Sequence, residues 1–151
     1  MSDLKIGDVV RTGNNTFSPI YMFSHRFPEA VTEFVELYTE DEKKPLILSP
    51  GHFLYVKKSI NAKSSQITAS SVVIGDLLET GDGRVTPVVN IRRKPNTGLF
   101  NPHTLDGDIV VENIRTTVYT DAIRPELAHA LLAPVRALYA MDVVFGESKK
   151  N

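Results

Sequence analysis

The chain holds four histidines, the side chains best suited to move protons near neutral pH, and their settings differ. His52 ends the turn Ser49-Pro50-Gly51 and opens the apolar run Phe53-Leu54-Tyr55-Val56. A histidine fixed at a strand end by a tight turn is well placed to give or take a proton. His25 stands in Phe23-Ser24-His25-Arg26, just after the apolar run Ile20-Tyr21-Met22-Phe23, and is a second base or acid if folding brings it near His52. A rim histidine and an exposed loop histidine fit the same spacing, so both readings stay open at this level. His103 falls in a proline-containing turn and His129 in a terminal helical segment beside Leu127 and Leu131, where packing or surface roles are expected.

Other chemistries find less support. No two histidines share the H-x-x-x-H spacing that places a pair of zinc ligands on one helix face. The 151 residues include no cysteine, which excludes a disulfide framework, a thiolate metal site and a cysteine nucleophile within them. No serine sits in a G-x-S-x-G elbow and no glycine-rich loop could cradle phosphate. No metal, nucleotide or other cofactor is expected. With 17 basic and 18 acidic residues the net charge is -1, and the basic runs Lys57-Lys58, Arg92-Arg93-Lys94 and Lys149-Lys150 are short and scattered, so no nucleic-acid partner is expected. Apolar stretches such as Val72-Val73-Ile74 are far too short to span a membrane, and Met1-Ser2-Asp3-Leu4-Lys5 lacks the basic start and apolar core of a signal peptide.

The elements that must position these residues are mostly strands. Short β-branched and apolar runs recur between turn signals: Asp8-Val10, Pro19-Phe23, Glu33-Tyr38, Leu46-Leu48, Phe53-Val56, Val72-Ile74, Val85-Ile91, Asp108-Val111 and Thr116-Tyr119. Many short strands with Gly, Asn, Asp and Pro punctuation predict an all-β sandwich or barrel-like fold. Ile6-Gly7-Asp8-Val9-Val10-Arg11-Thr12-Gly13 matches Ile74-Gly75-Asp76-Leu77-Leu78-Glu79-Thr80-Gly81, and the alignment runs without a gap to Ser18-Pro19-Ile20 against Thr86-Pro87-Val88. Duplication explains the joint agreement of residue type, spacing and proline position, and two copies suit a pseudo-twofold β domain rather than a solenoid.

Only the end reads as helix. From Ala122 to Met141, Leu127, Leu131, Val135, Leu138 and Tyr139 share one face at helical spacing, which predicts a lid on the β domain. Pro125 suits a first turn, whereas Pro134 should kink or divide the segment. One domain over residues 1–145 with a tail over 146–151 follows.

Three segments together resemble the hedgehog/intein (Hint) family, in its hedgehog autoprocessing form. Leu46-Ile47-Leu48-Ser49-Pro50-Gly51-His52 is similar to the family's T-x-x-H block with serine in place of threonine. Gly98 to Val111, with its proline turn, glycine turn and Ile-Val-Val strand, looks like the late hedgehog block, and Ala128 to Arg136 looks like the segment that closes it. The resemblance covers Leu4 to about Ala140 and implies a pseudo-twofold, disc-like all-β fold with a C-terminal helical segment.

The resemblance also implies a chemistry. In the family a cysteine attacks the carbonyl of the residue before it, turning an amide into a thioester, and a second nucleophile then takes the acyl group. His52 would protonate the departing nitrogen, and Ser49 would hold or polarise the scissile amide. His25 stands where the family usually has the aspartate that activates the second nucleophile, a sterol hydroxyl in animal hedgehogs. The substrate would be the protein's own upstream segment, the acceptor a sterol, water or another small nucleophile, and the domain a monomer from a secreted parent.

Two departures qualify this. Family members begin with the cysteine and a strand some twenty residues before the L-x-x-G-D turn, whereas this chain starts almost at that turn, with Leu4-Lys5-Ile6-Gly7-Asp8. The late S-C-Y segment of animal hedgehogs appears as Thr117-Val118-Tyr119, without its thiol. The expectation is therefore a processing domain whose nucleophile lies upstream of these residues. The alternatives are a non-catalytic β domain kept for binding or structure, and a small hydrolase using Ser49 with His52.

Overall fold

The computed structural model describes residues 1–121 and 129–147. Among these residues nine strands run in the order β1 (Val9–Arg11), β2 (Phe17–Thr39), β3 (Leu46–Leu48), β4 (His52–Lys57), β5 (Ser65–Thr68), β6 (Leu77–Glu79), β7 (Val85–Thr104), β8 (Asp108–Val111) and β9 (Ile114–Thr120), followed by the helix α1 (Ala133–Glu147). All the pairings are antiparallel, and the order across the sheet is β1-β2-β7-β6-β4-β9-β8, with β3 on β2 and β5 on β4.

The repeat is written into the hydrogen bonds. Gly7 N–H donates to the Ile20 carbonyl at 2.8 Å, and Gly75 N–H donates to the Val88 carbonyl at 2.8 Å. The amides of Ile20 and Val88 return bonds to the carbonyls of Asp8 and Asp76, at 2.9 and 2.8 Å. Each aspartate also caps its own turn, Asp8 accepting from Lys5 N–H and Asp76 from Val73 N–H. These turns need glycine, since Gly7 and Gly75 have φ of 95° and 93°, a region other residues rarely enter. The two halves also meet at their glycine turns, where Asn15 N–H donates to the Gly81 carbonyl at 3.0 Å.

Several of the expected runs join into longer strands. Pro19-Phe23 and Glu33-Tyr38 are the two ends of β2, and Val85-Ile91 continues through the glycine of Gly98 to Thr104 as β7. The pair shifts register between Ile20 and Met22, Phe23 and His25, Phe27 and Val31, and Tyr38 and Thr39. Such bulges bend a long ribbon and raise its twist, so its two ends serve different parts of the sheet. Val72-Ile74, by contrast, forms the approach to the second glycine turn and not a strand.

Leu37, Leu46, Leu54, Val56, Leu78, Val88 and Ile114 form the heart of the main core. The alternation in β4, with Leu54 and Val56 buried, is the period-two signature of a half-buried strand. A second cluster joins Ile109, Val118 and Tyr119 to Val10 and Leu132.

The terminal helix divides as Pro134 predicts: residues 129–131 are helical, Leu132 interrupts, and α1 restarts at Ala133 with Pro134 in its first turn. The break rotates the lid. Leu131, Val135 and Leu138 of the expected face are exposed, whereas His129, Leu132, Arg136 and Tyr139 are half-buried. Pro125 and Leu127 lie outside the described residues. The helix continues through Gly146 and Glu147, where the sequence suggests a tail.

Candidate functional site

A cleft of about 620 Å³ has His25, Ser49 and His52 among its walls, together with Asn101 and Asp121. Met1 and Ser2 close part of it. The three residues singled out in sequence thus line one space, although they come from β2 and from the β3–β4 turn.

The turn works as its sequence suggests. His52 N–H donates to the Ser49 carbonyl at 3.0 Å, closing a four-residue turn with Pro50 at its second position. Asp121 N–H donates to the Gly51 carbonyl at 2.8 Å, tying the turn to the end of β9. Gly51 lies against Asp121: a Cβ there would strike the Asp121 carboxylate and make that exposed side chain swing aside.

The His52 ring is fixed from the other side. Its Nε2 lies 2.7 Å from the Thr117 carbonyl. That carbonyl is free because the β4–β9 register breaks between the pairs His52–Thr120 and Leu54–Thr116. Thr117 Oγ1 fills in by donating to the Phe53 carbonyl and accepting from Tyr119 N–H. Burial pushes the His52 imidazole below its ordinary range, and the Thr117 hydrogen bond partly offsets this.

His25 is exposed within β2, opposite Asn101 on β7, where the sequence suggested the end of a strand. Its Nδ1 lies 3.1 Å from Ser24 Oγ. His103 is the clearest departure from expectation. It is not in a turn but in β7 opposite Met22, only 4% exposed, with Nε2 3.0 Å from Ser24 Oγ. Burial, then the neighbouring His52 and His25, lower its pKa to about 4. His129 reaches from the helical segment to the Tyr119 hydroxyl through Nδ1.

Asn101, Asp121 and His103 were not singled out as site residues from sequence. For Asn101 and His103 a signal existed, since both alternate with Pro102 along a strand; the proline concealed it. Asp121 carried none beyond its place after an apolar run.

The class is set by the pseudo-twofold β architecture and the turn-held histidine: a domain of the hedgehog/intein kind. The chain matches the Hint module over residues 1–151 and belongs to that family. Warthog protein 1 of Caenorhabditis elegans is 27% identical over 87% of this chain and 28% of its own length. Protein hedgehog of Drosophila erecta is 30% identical over 94% of this chain and 32% of its own. The chain therefore spans about a third of these relatives. Among solved structures the gp41-1 intein is similar in fold, with a TM-score of 0.62 at 17% identity, over 77% of this chain and 84% of the intein.

Proposed function

We propose that this domain carries out protein self-processing with a cysteine on a strand upstream of residue 1. The supporting observation is an asymmetry between the two repeats. In the second copy β6 lies between β7 and β4, with Leu78 and Leu77 opposite Val56 and Lys57. In the first copy β1 has β2 as its one strand partner among the described residues. A preceding strand would give β1 what β4 gives β6. Met1 and Ser2 line the same cleft as His52, so a segment before them would start at that cleft.

The chemistry follows from the side chains. The upstream cysteine sulfur bonds to the carbonyl carbon of the residue before it, and the C–N bond breaks. The departing nitrogen needs a proton. His52, its Nε2–H committed to Thr117, has Nδ1 to pass the thiol proton to that nitrogen. Ser49, at the head of the turn, orients the scissile amide. A hydroxyl nucleophile, a sterol alcohol or water, then gives its proton to His25 and bonds to the thioester carbon as the thiolate leaves. These 151 residues contain no cysteine, so the thioester forms only with the upstream segment attached.

The test is to extend the natural reading frame upstream and express the longer chain. A cysteine in a short strand-like segment should appear, with thiol-induced cleavage at that residue that disappears in His52→Ala. A reading frame without such a cysteine overturns the proposal and leaves a β domain for binding or structure. Hydrolysis of simple esters by the 151-residue chain, lost in Ser49→Ala, would instead favour the hydrolase reading.

A further inference from the structure

Under the lid lies a second space, separate from the cleft that holds His52. It is a pocket of about 210 Å³ between the sheet and the break in the terminal helix. Met22 of β2 and Val118 and Tyr119 of β9 line it from the sheet, and Leu131 and Leu132 line it from the helical segment. Its wall is mostly apolar, and among the described residues no Lys, Arg, Asp or Glu contributes to it. His103, also in the wall, is held neutral by burial, its pKa lowered to about 4. Such a pocket rejects a charged occupant, because an unpaired charge there loses its hydration without compensation.

The polar part of the wall has a particular place. His25, Asn101 and Thr120 line this pocket and also line the cleft of Ser49 and His52. The two spaces therefore share a polar wall. An occupant with an apolar body and one neutral polar group fits both parts, its body against Met22, Val118 and Leu132 and its polar group at the cleft. Size narrows the body. An apolar cavity of ~150 Å³ holds one benzene ring, whereas drug-sized ligands take ~300 Å³ or more. At about 210 Å³ the pocket suits one ring or a chain of similar bulk, and a four-ring sterol body exceeds it.

We propose that this pocket is the acceptor subsite, and that its occupant is a neutral alcohol with a single-ring or short-chain apolar body. This rests on the reading of the domain as one that forms a thioester, and it narrows the second nucleophile. The alcohol oxygen bonds to the thioester carbon, the C–S bond breaks, and the alcohol proton ends on the departing thiolate. The products are an ester of the upstream segment and a free cysteine thiol. Water as acceptor needs no apolar pocket beside the cleft, and a sterol needs a larger one.

Benzyl alcohol is the probe. Added to the 151-residue chain, it should shift the methyl signals of Met22, Val118 and Leu132 in 1H–13C spectra. The shifts should saturate with a Kd of about 1 mM, the affinity expected of so small a ligand. Leu131 is 59% exposed, so Leu131→Trp fills the pocket from its solvent side without disturbing the core, and should weaken binding about tenfold. Shifts scattered over the surface, or binding that neither Leu131→Trp nor Leu132→Trp weakens, overturn the inference. In the upstream-extended chain, benzyl alcohol should give the benzyl ester of the released segment, read by mass spectrometry. Leu131→Trp should lower that ester about tenfold relative to dithiothreitol-induced cleavage. Ester formation unaltered by Leu131→Trp, or more ester with cholesterol than with benzyl alcohol at equal concentration, also overturns it. Failure of thiol-induced cleavage overturns the processing reading alone, and binding by the 151-residue chain still decides the pocket.

Discussion

His52 holds its Nε2 2.7 Å from the carbonyl oxygen of Thr117. A carbonyl only accepts, so this nitrogen carries the hydrogen and Nδ1 is left for chemistry. The bond exists because β9 breaks register at this point and turns the Thr117 carbonyl away from the ladder. Burial opposes a charge on the ring, so its pKa falls below the ordinary value. A histidine NMR titration should therefore find His52 as the neutral Nε2–H tautomer at pH 7, with a midpoint below that of a free histidine.

Gly51 and Asp121 are joined as tightly. A methyl group at Gly51 has no room unless the Asp121 side chain moves. Asp121 is exposed and its carboxylate can swing aside, so Gly51→Ala should cost only about 0.5–1 kcal/mol in urea unfolding. Because the clash is with one side chain, Asp121→Ala in the same chain should restore part of the loss, a coupling that a double-mutant cycle reads.

The extent to which the sequence foretold this molecule varies by element. The repeat was legible because a positive-φ glycine followed by a turn-capping aspartate is a local requirement, met twice by Gly7-Asp8 and Gly75-Asp76. His52 was legible for the same reason, its turn being closed within four residues. The cluster in which Ser24 Oγ lies 2.8 Å from Asn101 Nδ2 and 3.0 Å from His103 Nε2 was not. It depends on the β2–β7 register and its bulges, which lie far apart in sequence, and Pro102 disguised the strand as a turn. The lid was half legible: Pro134 announced the break, but the break itself turned Leu131, Val135 and Leu138 outward.

Burial of His103 gives the stability a pH dependence. Its pKa of about 4 in the folded chain lies below that of an unfolded histidine. Between the two values the unfolded chain binds the extra proton, so stability is full above the unfolded pKa and falls as pH drops toward the folded one. From pH 7.5 to pH 5 this one residue should remove about 2 kcal/mol. His52 and His129, also lowered by burial, act in the same direction. Urea unfolding across this range should show the decline, and His103→Leu should flatten it.

The equivalent aspartates of the repeat should respond unequally. Asp76 is 3% exposed, and both of its carboxylate oxygens lie 2.8 Å from Lys58 Nζ. Asp8 caps the same kind of turn in the open. Asp76→Ala removes a buried acceptor of charge-assisted bonds and should cost about 2 kcal/mol, against about 0.5–1 kcal/mol for Asp8→Ala. Thermal unfolding of the two variants side by side measures the difference.

The same comparison reaches the strands beside those turns. Among the described residues β6 has partners on both edges, β7 and β4, while β1 has β2 on one. Val9 is 64% exposed, and its counterpart Leu77 is half-buried. An edge strand with one partner opens at lower free energy than a central one, because fewer contacts and hydrogen bonds must break. Hydrogen–deuterium exchange should therefore be faster in Val9–Arg11 than in Leu77–Glu79 in the 151-residue chain. If an upstream strand occupies the free edge of β1, extending the chain should slow exchange in Val9–Arg11 toward the β6 rate and leave β6 where it was. Equal protection of the two strands in the shorter chain would mean that the edge of β1 is already covered, and the argument for a strand there would fail.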